Sequence, residues 1–150
     1  MTYNTLFLAK CSLWLTTSLC TTAALGSSPV GQWNTVDEKT GEPKSMVVIT
    51  EHQGVMRGRV EKLLRKDADP AVRCDKCSDD RKNQPVLGLE IIRGAKKASN
   101  KDVWEDGEIL DPENGKTYGL RLTPIEGGAK LEVRGSFGPF GRTQTWVRVP

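Results

Sequence analysis

The chain has 150 residues, the length of one ordinary domain rather than two. A hydrophobic share of 37% and a charged share of 27% fit a folded protein and not a disordered one. The net charge of +3 is too small to point to nucleic acid or an acidic lipid surface. A single histidine, His52, excludes His-rich metal sites and argues against a His-based catalytic pair.

Residues 1–26 differ in composition from the rest, carrying one charge, Lys10, and no acid. The uncharged run Cys11 to Leu25 has the length of a signal-peptide apolar region. It is too short for a bilayer core, which needs about 20 residues. Ala24 and Gly26 put small residues where a signal peptidase reads them, predicting cleavage after Gly26 and export to the periplasm. Lipidation at Cys11 or Cys20 is excluded, because Lys10 and Leu19 stand where a small residue is required. The mature chain, 27–150, is then expected to be one domain, with no membrane-integral part once the signal is removed.

Cys74 and Cys77 are the cysteines left after cleavage. In an oxidising compartment a disulfide is the default. No helical pattern follows to lower a thiol pKa, Ser78 stands where haem attachment needs histidine, and a zinc site lacks ligands. The pair is therefore expected to be a structural staple, worth about 2 kcal/mol for so small a ring.

In chain order, short alternating or apolar runs recur between turn signals, and no run has a helical period. Val30 to Val36 opens as a strand, and Lys44 to Glu51 follows the turn chemistry around Gly41 and Pro43. Val55 to Leu64 places Met56, Gly58, Val60 and Leu64 on one parity. The polar stretch 65–85 reads as the largest loop and holds both cysteines. Val86 to Arg93 reads as a strand buried on both faces. Lys101 to Asp106 continues to Leu110 past Gly107, a bulge or bend signal. Asp111 to Gly115 is a hairpin turn, after which Tyr118, Leu120 and Leu122 alternate with Gly119, Arg121 and Thr123. Leu131, Val133 and Gly135 alternate with polar residues, and a Gly/Pro/Phe corner leads to the last strand, Arg142 to Val149. About eight strands joined by short turns predict an all-β, up-and-down antiparallel barrel, with a two-sheet sandwich as the alternative. Glycines at Gly58, Gly88, Gly119 and Gly135 suit strongly bent strands.

The phrases Cys74-x-x-Cys77, Pro85-Val-Leu-Gly88-Leu, and Trp104-x-x-Gly107-x-Ile-Leu-Asp-Pro112-x-Asn-Gly115-Lys-x-Tyr118 form an ordered set. Leu131-x-Val-Arg-Gly135 and Gly141-Arg-Thr-Gln-Thr-Trp146-x-Arg148 complete it. Together they resemble the bacterial exported family of the domain of unknown function 2147, which implies a small envelope protein. Gly31-x-Trp33 on the first strand, with Arg148 near the end of the last, is similar to the lipocalin arrangement. That likeness implies a tryptophan closing the barrel floor with an arginine packed over it.

On the last strand Arg142, Gln144, Trp146 and Arg148 share one face, and Thr143, Thr145, Val147 and Val149 the other. Were the first set to point inward, it would suit the carboxylate or phosphate of an amphipathic ligand; were the second, the arginines would be solvated. Trp33, Tyr118, Gln144, Trp146 and Arg148 are the candidate ligand-binding residues. His52 at a strand end and the turn group Asp111, Glu113 and Asn114 read as turn chemistry. Glu105, Asp106 and Glu108 read as a solvated acidic cluster. No catalytic set and no cofactor emerges. The expected function is non-enzymatic binding of a small apolar or amphipathic anion. The alternative is an envelope interaction or scaffold protein whose barrel is filled by Leu120, Leu122, Leu131, Val133 and Trp33.

Overall fold

A computed structural model describes residues 27–150; the expected signal segment and its cleavage point lie outside them. Eight antiparallel strands close into a barrel in sequence order. They are β1 (Gly31–Val36), β2 (Pro43–His52), β3 (Val55–Leu63), β4 (Glu90–Lys97), β5 (Trp104–Asp111), β6 (Lys116–Ile125), β7 (Lys130–Phe137) and β8 (Phe140–Arg148). The sandwich alternative is not formed. A meander of this kind alternates its connections between two ends. Turns 53–54, 98–103 and 126–129 gather at one end, the floor. Connections 37–42, 64–89, 112–115 and 138–139 gather at the other, the mouth.

The floor is closed by the first and last strands. Trp33 is fully buried, and its indole N–H donates to the Pro29 carbonyl at 2.7 Å. The Arg148 guanidinium lies 4.1 Å from the centre of the Trp33 ring. Its N–H groups donate to the carbonyls of Gly128 (2.5 Å), Val30 (3.0 Å) and Ser28 (2.8 Å). Where this half-buried charge loses water, carbonyl dipoles and a π-face replace it. Gly31 is required here: its φ is +139°, and any side chain would run into the Arg148 guanidinium. Above this floor Val47, Ile49, Met56, Ile92, Leu122, Leu131 and Trp146 fill the lower half of the barrel.

Strand parity follows the sequence until bulges reset it. The β2–β3 register slips between Met46 and Val47, so Leu63, not Leu64, turns inward; Leu64 is exposed. Val86 to Arg93 is not one strand, correcting the expectation. Val86 N–H donates to Val72 O (2.9 Å) and Gly88 N–H to Val60 O (2.7 Å), so Val86 to Leu89 ends the loop, and β4 begins at Glu90. Gly88 therefore sits in the loop and not on a bent strand. Ile91 and Ile92 are both buried because Gly58 pairs with Ile92 and Arg59 with Glu90, leaving Ile91 as an extra residue. Gly94, at φ +84°, is the extra residue of a second β4 bulge, a left-handed position that glycine accepts without strain. The bend expected at Gly107 is present one residue earlier in dihedral terms: Asp106 has φ +61°, and the register slips between Trp104 and Gly107.

The long connection 64–89 is held by charge. Cys74 and Cys77 form a disulfide buried within it. Arg81, only 2% exposed, donates to both Asp79 carboxylate oxygens, to the Glu90 carbonyl (3.3 Å), to Glu108 (3.3 Å) and to Thr117 (3.3 Å). It thereby fastens the loop over the outer surface of β4, β5 and β6. Arg93 grips Asp80 with two hydrogen bonds of 2.9 and 2.8 Å and donates to Glu90 at 2.7 Å. Burial pushes the Glu90 carboxyl up, but hydrogen bonds from Arg93 and Arg57 outweigh it, and the net direction is down. Asp79 is held at about 2, chiefly by hydrogen bonds from the Arg81 side chain.

Two outcomes follow. Trp33→Ala should destabilise the fold by about 3–5 kcal/mol in urea denaturation, the cost of emptying a fully buried tryptophan site; an unchanged midpoint would contradict the floor role. The depressed Asp79 pKa means that its pairing with Arg81 stabilises fully above the unfolded value of about 4. That stability is lost as pH falls from about 4 through about 2, and Asp80 and Glu90 act in the same direction. Amide protection in the loop, corrected for intrinsic exchange, should drop between pH 6 and pH 3. Asp79→Asn should show the weaker protection already at pH 6.

Candidate functional site

The inner faces of the strands leave a cavity of about 850 Å³ in the mouth half of the barrel. Register decides who lines it. Leu131 pairs with Trp146, Val133 with Gln144 and Gly135 with Arg142, which turns the Arg142, Gln144, Trp146 and Arg148 face inward. Thr143, Thr145 and Val147 are exposed on the outside. Val60, Ile91, Ile109, Val133 and Trp146 make the apolar walls. Thr35, Ser45, Tyr118 and Gln144 supply polar groups. Space is left because Gly135 has no side chain to oppose Tyr118.

Most of these polar groups are already engaged. The Thr35 and Ser45 hydroxyls share a 2.9 Å hydrogen bond. Trp146 donates its indole N–H to Gln144 Oε1 at 3.2 Å. Asn114 donates to the Tyr118 hydroxyl at 3.0 Å. The 112–115 turn that carries Asn114 is built as its sequence predicts. Asp111 accepts from the Glu113 backbone N–H and the Asn114 amide, both at 2.9 Å, and Asn114 accepts from the Lys116 N–H at 2.8 Å.

The rim is charged and partly aromatic. Lys44 and Arg65 contact Glu113 at 3.0 and 3.2 Å, Arg65 reaches Asp37 at 3.2 Å, and Arg142 pairs with Glu38. These pairs tie three of the four mouth connections to one another or to β8. The long loop adds Arg65, Asp67, Val72, Arg73 and Asp75 to the cavity wall. Phe137 and Phe140 face each other across the 138–139 turn and remain 71% and 78% exposed. Both also line the cavity.

Of the five candidate residues, Tyr118, Gln144 and Trp146 line the cavity together. Trp33 and Arg148 sit at the floor, outside its lining, bonded to each other and to backbone carbonyls. His52 is exposed at the floor end of β2, away from the mouth. Glu105 and Glu108 face outward and pair with Arg121 (2.9 Å) and Arg81 (3.3 Å). The filled-barrel expectation fits the lower half only, where Leu122, Leu131 and Trp33 are fully buried. Lys44, Arg65, Ile91, Ile109 and the Phe137–Phe140 pair were not legible as site residues. The last pair carried a signal, two aromatics bracketing a Gly-Pro turn at a predicted strand junction.

No curated protein matches this chain significantly. Among solved structures, a protein of the human pathogen Helicobacter pylori described as belonging to the lipocalin family matches at a TM-score of 0.67. It is 23% identical over 81% of this chain and 82% of its own, a likeness of fold. The family model described as an uncharacterized protein conserved in bacteria, DUF2147, matches residues 31–148, and the chain belongs to that family.

Proposed function

We propose that this is an exported, non-enzymatic protein that binds a small apolar or amphipathic molecule in the mouth half of its barrel. The observation that carries the reading is the cavity itself. Its volume of about 850 Å³ falls in the range of small-molecule sites, and its inner walls are mainly apolar, with charged side chains gathered at the rim and on the long loop. An eight-stranded barrel is just wide enough for one such ligand. Tyr118, Gln144 and Trp146 are the contacts we assign to it, with Trp33 and Arg148 supporting the floor below. Export to the periplasm is supported by the signal layout of residues 1–26, by the disulfide and by membership of a bacterial family.

A second reading is favoured by one feature. The exposed Phe137 and Phe140 pair at the tip of the β7–β8 hairpin suits contact with an envelope protein partner. The test separates the two. Intact mass of the protein recovered from its own host, under native and then denaturing conditions, should show a stoichiometric small molecule that leaves on denaturation. The denatured mass should begin at Ser27 and be two hydrogens light for the disulfide. A native mass equal to the bare chain would count against a tightly held ligand, and a larger, protein-sized adduct would favour the partner reading.

A further inference from the structure

The seam between β1 and β8 is closed unevenly. β7 and β8 keep register from Lys130–Val147 to Phe137–Phe140, whereas β1 and β8 pair only at Trp33–Arg148 and Asn34–Val147. Among the described residues, the first half of β8 therefore has one edge without a strand partner, facing the 37–42 turn. Its inward side chains, Phe140, Arg142 and Gln144, all line the cavity. Glu38 of the turn reaches across the gap. Its carboxylate accepts from Arg142 Nε at 2.8 and 2.9 Å and from Arg142 Nη2.

Gln144 lines the cavity two residues along the same face of β8. Because Trp146 donates to Gln144 Oε1, the amide NH₂ is the end free to donate onward. Hydrogen bonding from Arg142 first, and from Gln144 to a lesser degree, holds the Glu38 carboxyl below its ordinary range. The Arg142 guanidinium thus holds a carboxylate from the protein's own turn at the cavity wall, with the Gln144 amide beside it on the same face of β8, and the two form a donor cradle. The Arg142 side chain is 70% exposed and that of Glu38 38%. A pair this open to water is weak and exchangeable. Of the neighbouring carboxylates, Glu113 is taken by Lys44 and Arg65 and Asp37 by Arg65, while Asp111, whose charge also reaches Arg142, is turned to the Glu113 N–H and the Asn114 amide.

We infer that Arg142 and Gln144 are the headgroup site for an amphiphile with an anionic carboxylate or phosphate, its chain lying in the cavity, and that Glu38 is an exchangeable stand-in for that headgroup. The inference rests on the cavity reading above and adds the charge and position of the headgroup. The donor set decides the sign: N–H groups of Arg142 and Gln144 recognise anionic oxygens and offer nothing to a cation. Displaced, Glu38 swings into solvent and is hydrated, so exchange leaves no buried charge behind.

The test is calorimetric titration of the oxidised protein with decanoate, decyl phosphate and decanol, which share a chain and differ in headgroup. Decanoate or decyl phosphate should bind at least tenfold tighter than decanol, and whichever is tighter names the headgroup. Arg142→Leu should bring the anion down to the decanol affinity and leave decanol unchanged. Glu38→Gln should tighten the anion severalfold, a gain that misfolding does not imitate. Equal affinities for all three probes, unmoved by either substitution, would overturn the headgroup site and leave the cavity reading standing. No binding of any probe would overturn both.

Discussion

The Arg148 guanidinium over the Trp33 ring is the contact on which the rest of the molecule depends. A barrel exists only where its first and last strands meet, and here they share two register pairs. Backbone pairing that short would leave a frayed edge. The seam is instead fastened by one side chain that stacks on Trp33 of β1 and hydrogen-bonds carbonyls of Ser28, Val30 and Gly128. These carbonyls belong to the segment leading into β1 and to the β6–β7 turn. One cation therefore joins the chain's entry, its exit and a floor turn, and its planar fork of donors is what allows this; a lysine ammonium has neither the fork nor the flat face.

Fastening the seam at the floor leaves it loose at the mouth, and the two ends take on different work. Near Trp33 the interior is filled with large apolar side chains that are fully buried. Towards the mouth the inward positions become Thr35, Ser45, Gly135 and Gln144, small or polar, and a cavity opens. The strands are the same strands; what changes along them is side-chain size. Apolar filling and open space are thus separated along the barrel axis.

Much of this was legible from the amino-acid sequence, and the reason is periodicity. Alternation on β6 and β7 names inward residues directly, because no bulge interrupts the register between them. Which face of β8 points inward was still undetermined from the pattern, since both faces carry plausible core or surface groups. It is decided by the neighbour: Val133 opposite Gln144 and Leu131 opposite Trp146 are apolar and buried. Gly31-x-Trp33 and Arg148 were readable as a floor through their resemblance to the lipocalin arrangement, and the structure adds that the glycine clears room for the guanidinium. The failures sit where one extra residue resets parity. Ile91 looked like part of a doubly buried strand and is a bulge residue. Leu64 looked like core, yet the bulge on β3 gave that place to Leu63.

The polar loop shows a different limit. Nothing in residues 64–89 has a period, and a run such as Asp79-Asp80-Arg81-Lys82 reads as solvated surface. In the fold Arg81 is among the least exposed residues, and it holds the loop against β4, β5 and β6 through carboxylates, a hydroxyl and a carbonyl. Charges can be buried here because each finds its partner, and no buried side-chain polar atom is left unsatisfied among the described residues. Such partners come from distant strands, and local sequence does not reveal them. The same loop supplies one wall of the cavity. A wall made of ion pairs and one small disulfide ring is a wall whose stiffness depends on pH and on paired charge, while the floor, built on stacking and apolar packing, does not share that dependence.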